Sequence, residues 1–297
     1  MVEKLLHAYR EILTEKGNSP DWAVRKRNNP NELVRPTIPF VGKHYAEQKK
    51  KILVYGSAEN LADYYVGNTK YWVGDWLDDD AQAENRHRKC FDDPTYQSDP
   101  FFPHVHLGPM NNGCLATVAY YIVNRLYQKE FESARDFYET ISFGNYGKYS
   151  IETELQRSKR MGQEPGAAKA NIDYAGDKEL MSESHAFIKA DLEVLEPDCI
   201  ILPKAMYNAD REFIMKYSKG ALIIPIYQIN TSVINRIIAK GFPRYDIEKL
   251  PKSVRRWYDC LNKDGMKGKS KENYLSVFTY LDHVIEKAVY LKSSGGH

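Results

Sequence analysis

Cysteine is scarce and unpatterned in this chain: Cys90, Cys114, Cys199 and Cys260 stand far apart and form no CxxC pair. That spacing argues against a disulfide framework, a zinc knuckle or an iron–sulfur cluster. Cys114 and Cys199 lie in apolar runs, where a thiol serves as a small core residue. A large excess of one charge is also missing, since 42 Lys and Arg face 40 Asp and Glu for a net charge of +2. A nucleic-acid surface therefore has to be a local patch, not a global field. Long apolar runs are absent too. None approaches the roughly 18 residues of a membrane span, and the N-terminus lacks the basic-then-apolar order of a secretory leader. A cytoplasmic, membrane-free monomer is expected, and no internal repeat is evident.

What the sequence does contain is the balance of a globular α/β protein, 42% apolar and 28% charged over 297 residues. Short apolar runs alternate with helical patterns, which argues for a mostly parallel sheet covered by helices on both faces. The strands are expected at Lys51 to Tyr55, Ile141 to Tyr146, Asp198 to Pro203 and Ala221 to Ile226. An amphipathic helix from Val2 to Leu13 precedes them, its pattern ending before Gly17. Asn111 or Asn112 is placed to cap "GCLATVAYYIVNRLY", Ser182 or Ser184 to cap "HAFIKADLEVLE", and Asn208 to cap "ADREFIMKYSK". "NTSVINRIIAKG" closes on Gly241 as a helix does. Further helical patterns span Lys252 to Leu261 and Lys271 to Leu291, the second with a stripe from Tyr274 through Val277, Phe278, Leu281, Ile285, Ala288 and Val289. The plan is an N-terminal helix and arm (1–50), an α/β core (51–245) and a C-terminal helical extension of the same domain (246–297). The segment Ser158 to Ser182 is long, polar and aperiodic, as functional or mobile loops are.

In an open parallel sheet, ligands bind beyond the carboxyl ends of the strands, so the residues there are the first candidates. After the first expected strand come Gly56, Ser57, Ala58, Glu59 and Asn60; the second ends in Asn145, Tyr146 and Lys148. The third leads into Lys204, Met206, Tyr207 and Asn208, and the fourth into Tyr227, Gln228, Asn230, Thr231 and Ser232. Amides, phenols and one carboxylate suit a pocket that reads donors and acceptors on a flat heterocycle.

The order of these elements resembles the uracil-DNA glycosylase superfamily. "YGSAENLADYYVGNTKYW" is similar to the glycine-led loop that carries the water-activating group, and "FGNYGKYSI" to the strand ending in the base-reading asparagine, here Asn145. "ADLEVLEPDCIILP" resembles the superfamily's helix and following strand, and "LIIPIYQINTSVINRI" stands where its second catalytic motif lies. The resemblance implies a three-layer fold around a four-stranded, mostly parallel sheet, and hydrolysis of the N-glycosidic bond of a base flipped out of single- or double-stranded DNA. It implies Glu59 and Asn60 as the catalytic pair. Asn145, Tyr227, Gln228 and Asn230 would bind the base, with Tyr65, Tyr71 or Trp72 as the stacking face. Lys148, Lys204, Thr231 and Ser232 would contact the DNA backbone. No cofactor is implied.

Two departures bear on substrate. The acid falls at Glu59, with Ser57 and Ala58 in the positions directly after the glycine, and Tyr227, Gln228 and Asn230 replace the histidine of the last motif. A damaged, modified or enlarged base is expected in place of plain uracil, and defence against phage with modified DNA would suit such a change. Structural alternatives stand beside each role. Glu59 can serve a helix N-terminus near Leu61 with Asn60 as its cap, Asn145 can punctuate a turn, and Gln228, Asn230 or Thr231 can cap the next helix. A catalytically silent nucleic-acid-binding protein on the same fold, or a hydrolase of small nucleotides, remains open. His104 and His106 have a metal-like spacing, and "GDWLDDD" (Gly74 to Asp80) is acidic enough for a cation, but a loop histidine pair and a solvated turn account for them. Basic runs at Arg25 to Arg27, Lys49 to Lys51, Arg255 with Arg256, and Lys267 to Lys271 are the candidate phosphate contacts.

Overall fold

A computed structural model describes residues 1–15, 36, 38–60, 115–131, 134–151, 175–176, 178–229, 231–252, 254–255, 258 and 271–295. The elements in chain order are α1 (Val2–Glu15), β1 (Phe40–Val41), β2 (Ile52–Asn60), α2 (Leu115–Tyr127), α3 (Ala134–Tyr138) and β3 (Ser142–Ile151). They continue with α4 (Lys178–Leu195), β4 (Cys199–Pro203), α5 (Lys204–Ala209), α6 (Arg211–Tyr217), β5 (Leu222–Ile226), α7 (Thr231–Ala239) and α8 (Leu275–Ser293).

The sheet has the order β1-β3-β2-β4-β5, with β2 to β5 parallel and β1 antiparallel at the edge. Side chains on each strand alternate between two cores, as the two-residue period of a strand requires. Ile52, Val54, Cys199, Ile201, Leu222, Ile224 and Ile226 pack under α2, α7 and α8. Leu53, Tyr55, Tyr146, Ile200 and Leu202 pack under α1, α4 and α6. The result is a helix–sheet–helix sandwich, and because both sheet faces are covered, β4 is buried along its whole length. Burial pushes the Cys199 thiol up to about 12, consistent with a small core residue.

The four expected strands and the helices between them are present, with differences that have physical causes. The arm supplies β1, a fifth strand of two residues in register with Phe143 and Ser142. Helix α4 starts before both serines, and Ser184 is buried, its Oγ accepting the Lys148 N–H at 2.9 Å in place of capping. Asn208 lies inside α5; the break before α6 falls at Asp210, whose carboxylate is engaged elsewhere and makes no cap. Gly241 ends α7 with φ +80°, the left-handed conformation that glycine adopts without strain. In α8 the buried stripe stops at Ala288, and Val289 is exposed. Residues 252, 254, 255 and 258 are helical within the expected Lys252 to Leu261 segment. No helix among the described residues is long and apolar enough to cross a membrane.

Candidate functional site at the strand ends

β2 and β3 run well past the positions where the apolar pattern stops. β2 pairs with β4 only over Ile52 to Val54, but it stays paired with β3 as far as Asn60. Beyond Val54 the two continue as a parallel ribbon without β4 in the ladder. The polar stretch expected to be a loop is therefore strand, held by its ladder hydrogen bonds to β3. The register slips between Ala58 and Asn60, where Ala58 faces Gly147 but Asn60 faces Ile151. Glu59 sits at this irregularity, the kind of local break that re-aims side chains beside functional sites. The expected helix start at Leu61 lies outside the described residues.

Gly56 is in register with Asn145, and a Cβ built on Gly56 would lie 2.6 Å from the Asn145 Oδ1. The carboxamide thus rests against bare backbone, and glycine is what makes room for it. One residue on, the Ser57 hydroxyl donates to Gln228 Oε1 at 3.4 Å, which ties the ribbon to the segment after β5 across the width of β4. Residues from the first and last strand-end segments, separated by 171 positions, are therefore neighbours. Leu115 at the start of α2 also borders Gly56, so the helix begins at this edge of the sheet.

Tyr227 directly follows β5. Its ring stacks on Tyr280 at 5.3 Å between centroids with planes 18° apart, and its N–H donates to the Tyr280 hydroxyl at 3.2 Å. Lys204, the first residue of α5, stands 5.0 Å from the ring centroid, with Lys240 at 5.6 Å and Arg236 at 6.0 Å. Burial raises the Tyr227 phenol, but the Lys240 hydrogen bond and the Lys204 charge outweigh it and hold the phenol below its ordinary value. With Tyr280 stacked on it and three cations gathered around it, Tyr227 is a cation-collecting ring.

Lys148 requires a correction. Expected on the DNA backbone, it is fully buried, because β3 continues past Tyr146 and turns this side chain into the core under α4. There its ammonium hydrogen-bonds the equally buried Asp191, whose two oxygens also accept from Tyr9 Oη at 2.8 Å and Tyr55 Oη at 2.7 Å. Burial pulls the Lys148 ammonium below its ordinary value. The basic run Lys49 to Lys51 is likewise misplaced for the role suggested, since it precedes β2 at the amino edge. Lys50 pairs with Asp198 there and Lys51 with Glu196. Arg255 is clamped by Glu248.

Of the remaining expected residues, Glu59, Asn60 and Thr231 are placed by backbone only, and Ser232 is exposed in the first turn of α7. Tyr65, Tyr71, Trp72, Asn230, His104, His106 and the Gly74 to Asp80 run lie outside the described residues, as does most of Ser158 to Ser182. Sequence reading missed one cluster altogether. Asp210 Oδ2 accepts from Tyr146 Oη at 2.8 Å and lies 2.7 Å from His185 Nε2, while the His185 ring stacks on Phe213 at 3.9 Å. No local pattern could have flagged it, because its members come from β3, α4 and the α5–α6 junction. A groove of about 530 Å³ lies elsewhere, between the ends of α2 and α8, lined by Arg125, Leu126, Asp282, Ile285 and Tyr290.

No family model matches the chain, and no curated protein or solved structure matches it either.

Proposed function

We propose that the chain is a DNA glycosylase of the uracil-DNA glycosylase type, acting on a damaged or modified base extruded to the carboxyl edge of the sheet. The observation that carries this reading is the contact of the Asn145 carboxamide with Gly56. It sets the group suited to read a Watson–Crick edge beside the strand that bears Glu59 three residues further on. The sandwich of helices around four parallel strands agrees with the fold the resemblance implies.

Breaking an N-glycosidic bond builds positive charge on the sugar and negative charge on the departing base. Glu59 would take a proton from the attacking water and offset the cationic sugar, with Asn60 beside it to orient that water. The Ser57–Gln228 pair offers polar groups to the base anion where the superfamily uses histidine. Replacement of that histidine by an amide, which carries no charge, is the reason to look beyond uracil. The same replacement is what favours the second reading, a nucleic-acid-binding protein without catalysis.

The test is release of bases from oligonucleotides carrying uracil, deaminated, alkylated or hypermodified bases, read as alkali-labile abasic sites. Glu59→Gln should lower single-turnover release by about 100- to 10,000-fold, the usual contribution of a general base. Release unaffected by that change sinks the assignment of Glu59. Salt-sensitive binding with no release from any base supports the second reading, and no binding at low salt leaves a small-nucleotide hydrolase.

Gly56→Ala gives a finer check. The new Cβ displaces only the far end of the half-buried Asn145 side chain, so thermal stability should change by about 1 kcal/mol, the cost of shifting one rotamer. Release should nevertheless fall by up to about 100-fold, as expected for a reading group misplaced by about 1 Å. Unchanged release at unchanged stability would remove Asn145 from the site.

A further inference from the structure

We propose that Lys204, Arg236 and Lys240, gathered around the Tyr227 ring at the open end of β5, form a phosphate-binding track that holds the DNA backbone beside the strand-end site. The inference rests on the reading of DNA as partner and extends it to Arg236 in α7 and Lys240 just past its end, which no motif singled out.

Three positive groups lie within 6.0 Å of one ring centroid, and Lys240 also donates to the Tyr227 hydroxyl at 3.4 Å. Among the described residues none of the three ion-pairs with a carboxylate. Lys50, Arg125, Arg244 and Arg255 are paired, with Asp198, Asp282, Glu272 and Glu248, whereas Lys43, Arg211 and Lys219 ion-pair with no carboxylate among the described residues; what distinguishes the three is that they gather on one ring. Like charges held this close repel, and the ring's quadrupole returns only a modest attraction at exposed positions. An added anion is the missing partner of such a cluster.

Position selects the anion. Lys204 directly follows β4 and Tyr227 directly follows β5, so the cluster begins at the carboxyl edge that Gln228 shares with Ser57. β5 is the last strand of the sheet, and Arg236 in α7 and Lys240 just past its end bring their charges to the same ring. Ser232, exposed in the first turn of α7, adds a hydroxyl. Three cations converging beside a base site can meet neighbouring phosphates of one phosphodiester chain, whereas a mononucleotide offers phosphate at one point only.

The test is binding of fluorescent 20-mers of ordinary bases, single- and double-stranded, across a salt series, with wild type, Arg236→Gln, Lys240→Gln and the double variant. Both side chains are exposed, and circular dichroism checks that the fold is kept. Each substitution should reduce the slope of log affinity against log salt by about one, uniformly across sequences. The double variant should bind roughly tenfold or more weakly at physiological salt. Unchanged affinity and slope in the folded double variant overturn the track. Length separates the two sources of phosphate: affinity that climbs from a mononucleotide to the 20-mer supports it, and equal affinity for both overturns it. Loss of slope in the variants alongside a failure to release any base leaves the track standing while the glycosylase reading falls.

Discussion

Raising the pH above 10 is expected to unfold the protein cooperatively, with a midpoint between about pH 11 and pH 13. Tyr45, Tyr55, Tyr121 and Tyr146 are all buried, none more than 1% exposed. Burial is the main force holding each phenol well above its ordinary value. Nearby carboxylates add to it: Asp198 and Asp191 at Tyr45, Asp191 at Tyr55 and Asp210 at Tyr146, with Tyr245 and then Asp282 acting on Tyr121. Above pH 10 the unfolded chain loses these protons and the folded chain keeps them. The unfolded state then binds fewer protons, so stability falls as pH rises, and the contribution is fully present below pH 10. Each phenol removes about 1.4 kcal/mol per pH unit in that window, so four remove between 5 and 6, roughly the whole stability of a marginal domain within one to three units. Tyrosinate absorbance and circular dichroism recorded together decide the matter. A sharp rise in absorbance coincident with loss of helix is expected. A smooth titration of all 22 tyrosines near pH 10 with an unchanged helical signal would show that these phenols are not closed off from water.

How much of this was legible in the sequence depends on where burial supplies the pattern. "KILVY", "DCIILP" and "ALIIPI" announce strands because both faces of the sheet are covered, and the two-core alternation of Leu53 against Val54 follows from that. The ribbon formed by residues 55–60 and 144–151 carries no such pattern, since beyond Val54 it has no β4 beside it and its ladder tolerates polar residues. For the same reason Lys148 reads as a strand-end cation when it is a core residue: its partner Asp191 lies 43 positions away, inside a helix. Ser184 looks like a cap because caps are local, whereas its real partner is the N–H of a neighbouring strand. At the candidate site, Gly56, Asn145, Ser57 and Gln228 could be nominated one by one from the rule that ligands meet strand ends, but their contacts needed the fold. The cations show the reverse. The run Lys49 to Lys51 stands out in the sequence, yet Lys50 pairs with Asp198 and Lys51 with Glu196, while Lys204, Arg236 and Lys240 are dispersed and meet on Tyr227.

Asp191→Leu is expected to cost about 3 to 5 kcal/mol in urea unfolding, the penalty for leaving a buried ammonium without its partner. The Lys148 ammonium is fully enclosed and cannot turn to water, so it must either lose its proton or open the structure. Lys148→Met should cost less, because the Asp191 carboxylate keeps the Tyr9 and Tyr55 hydroxyls as donors. The double variant Lys148→Met/Asp191→Leu removes both charges but strands those two hydroxyls, at about 1 to 3 kcal/mol each. It should therefore recover only part of the loss, and Tyr9→Phe with Tyr55→Phe should restore most of the rest. This order of stabilities separates a charge effect from a packing effect. Functionally, the cluster joins α1, β2, β3 and α4 directly beneath the ribbon: Tyr55 adjoins Gly56, and Lys148 is three residues past Asn145. Since β4 gives that ribbon no ladder beyond Val54, the cluster adds a tie to the β2–β3 ladder that sets Gly56 against Asn145. In Asp191→Leu, hydrogen exchange should accelerate at residues 55–58 and 145–148 while β4 and β5 stay protected. Wild-type stability with equal protection of the ribbon would mean that Lys148 and Asp191 bear no part of its positioning.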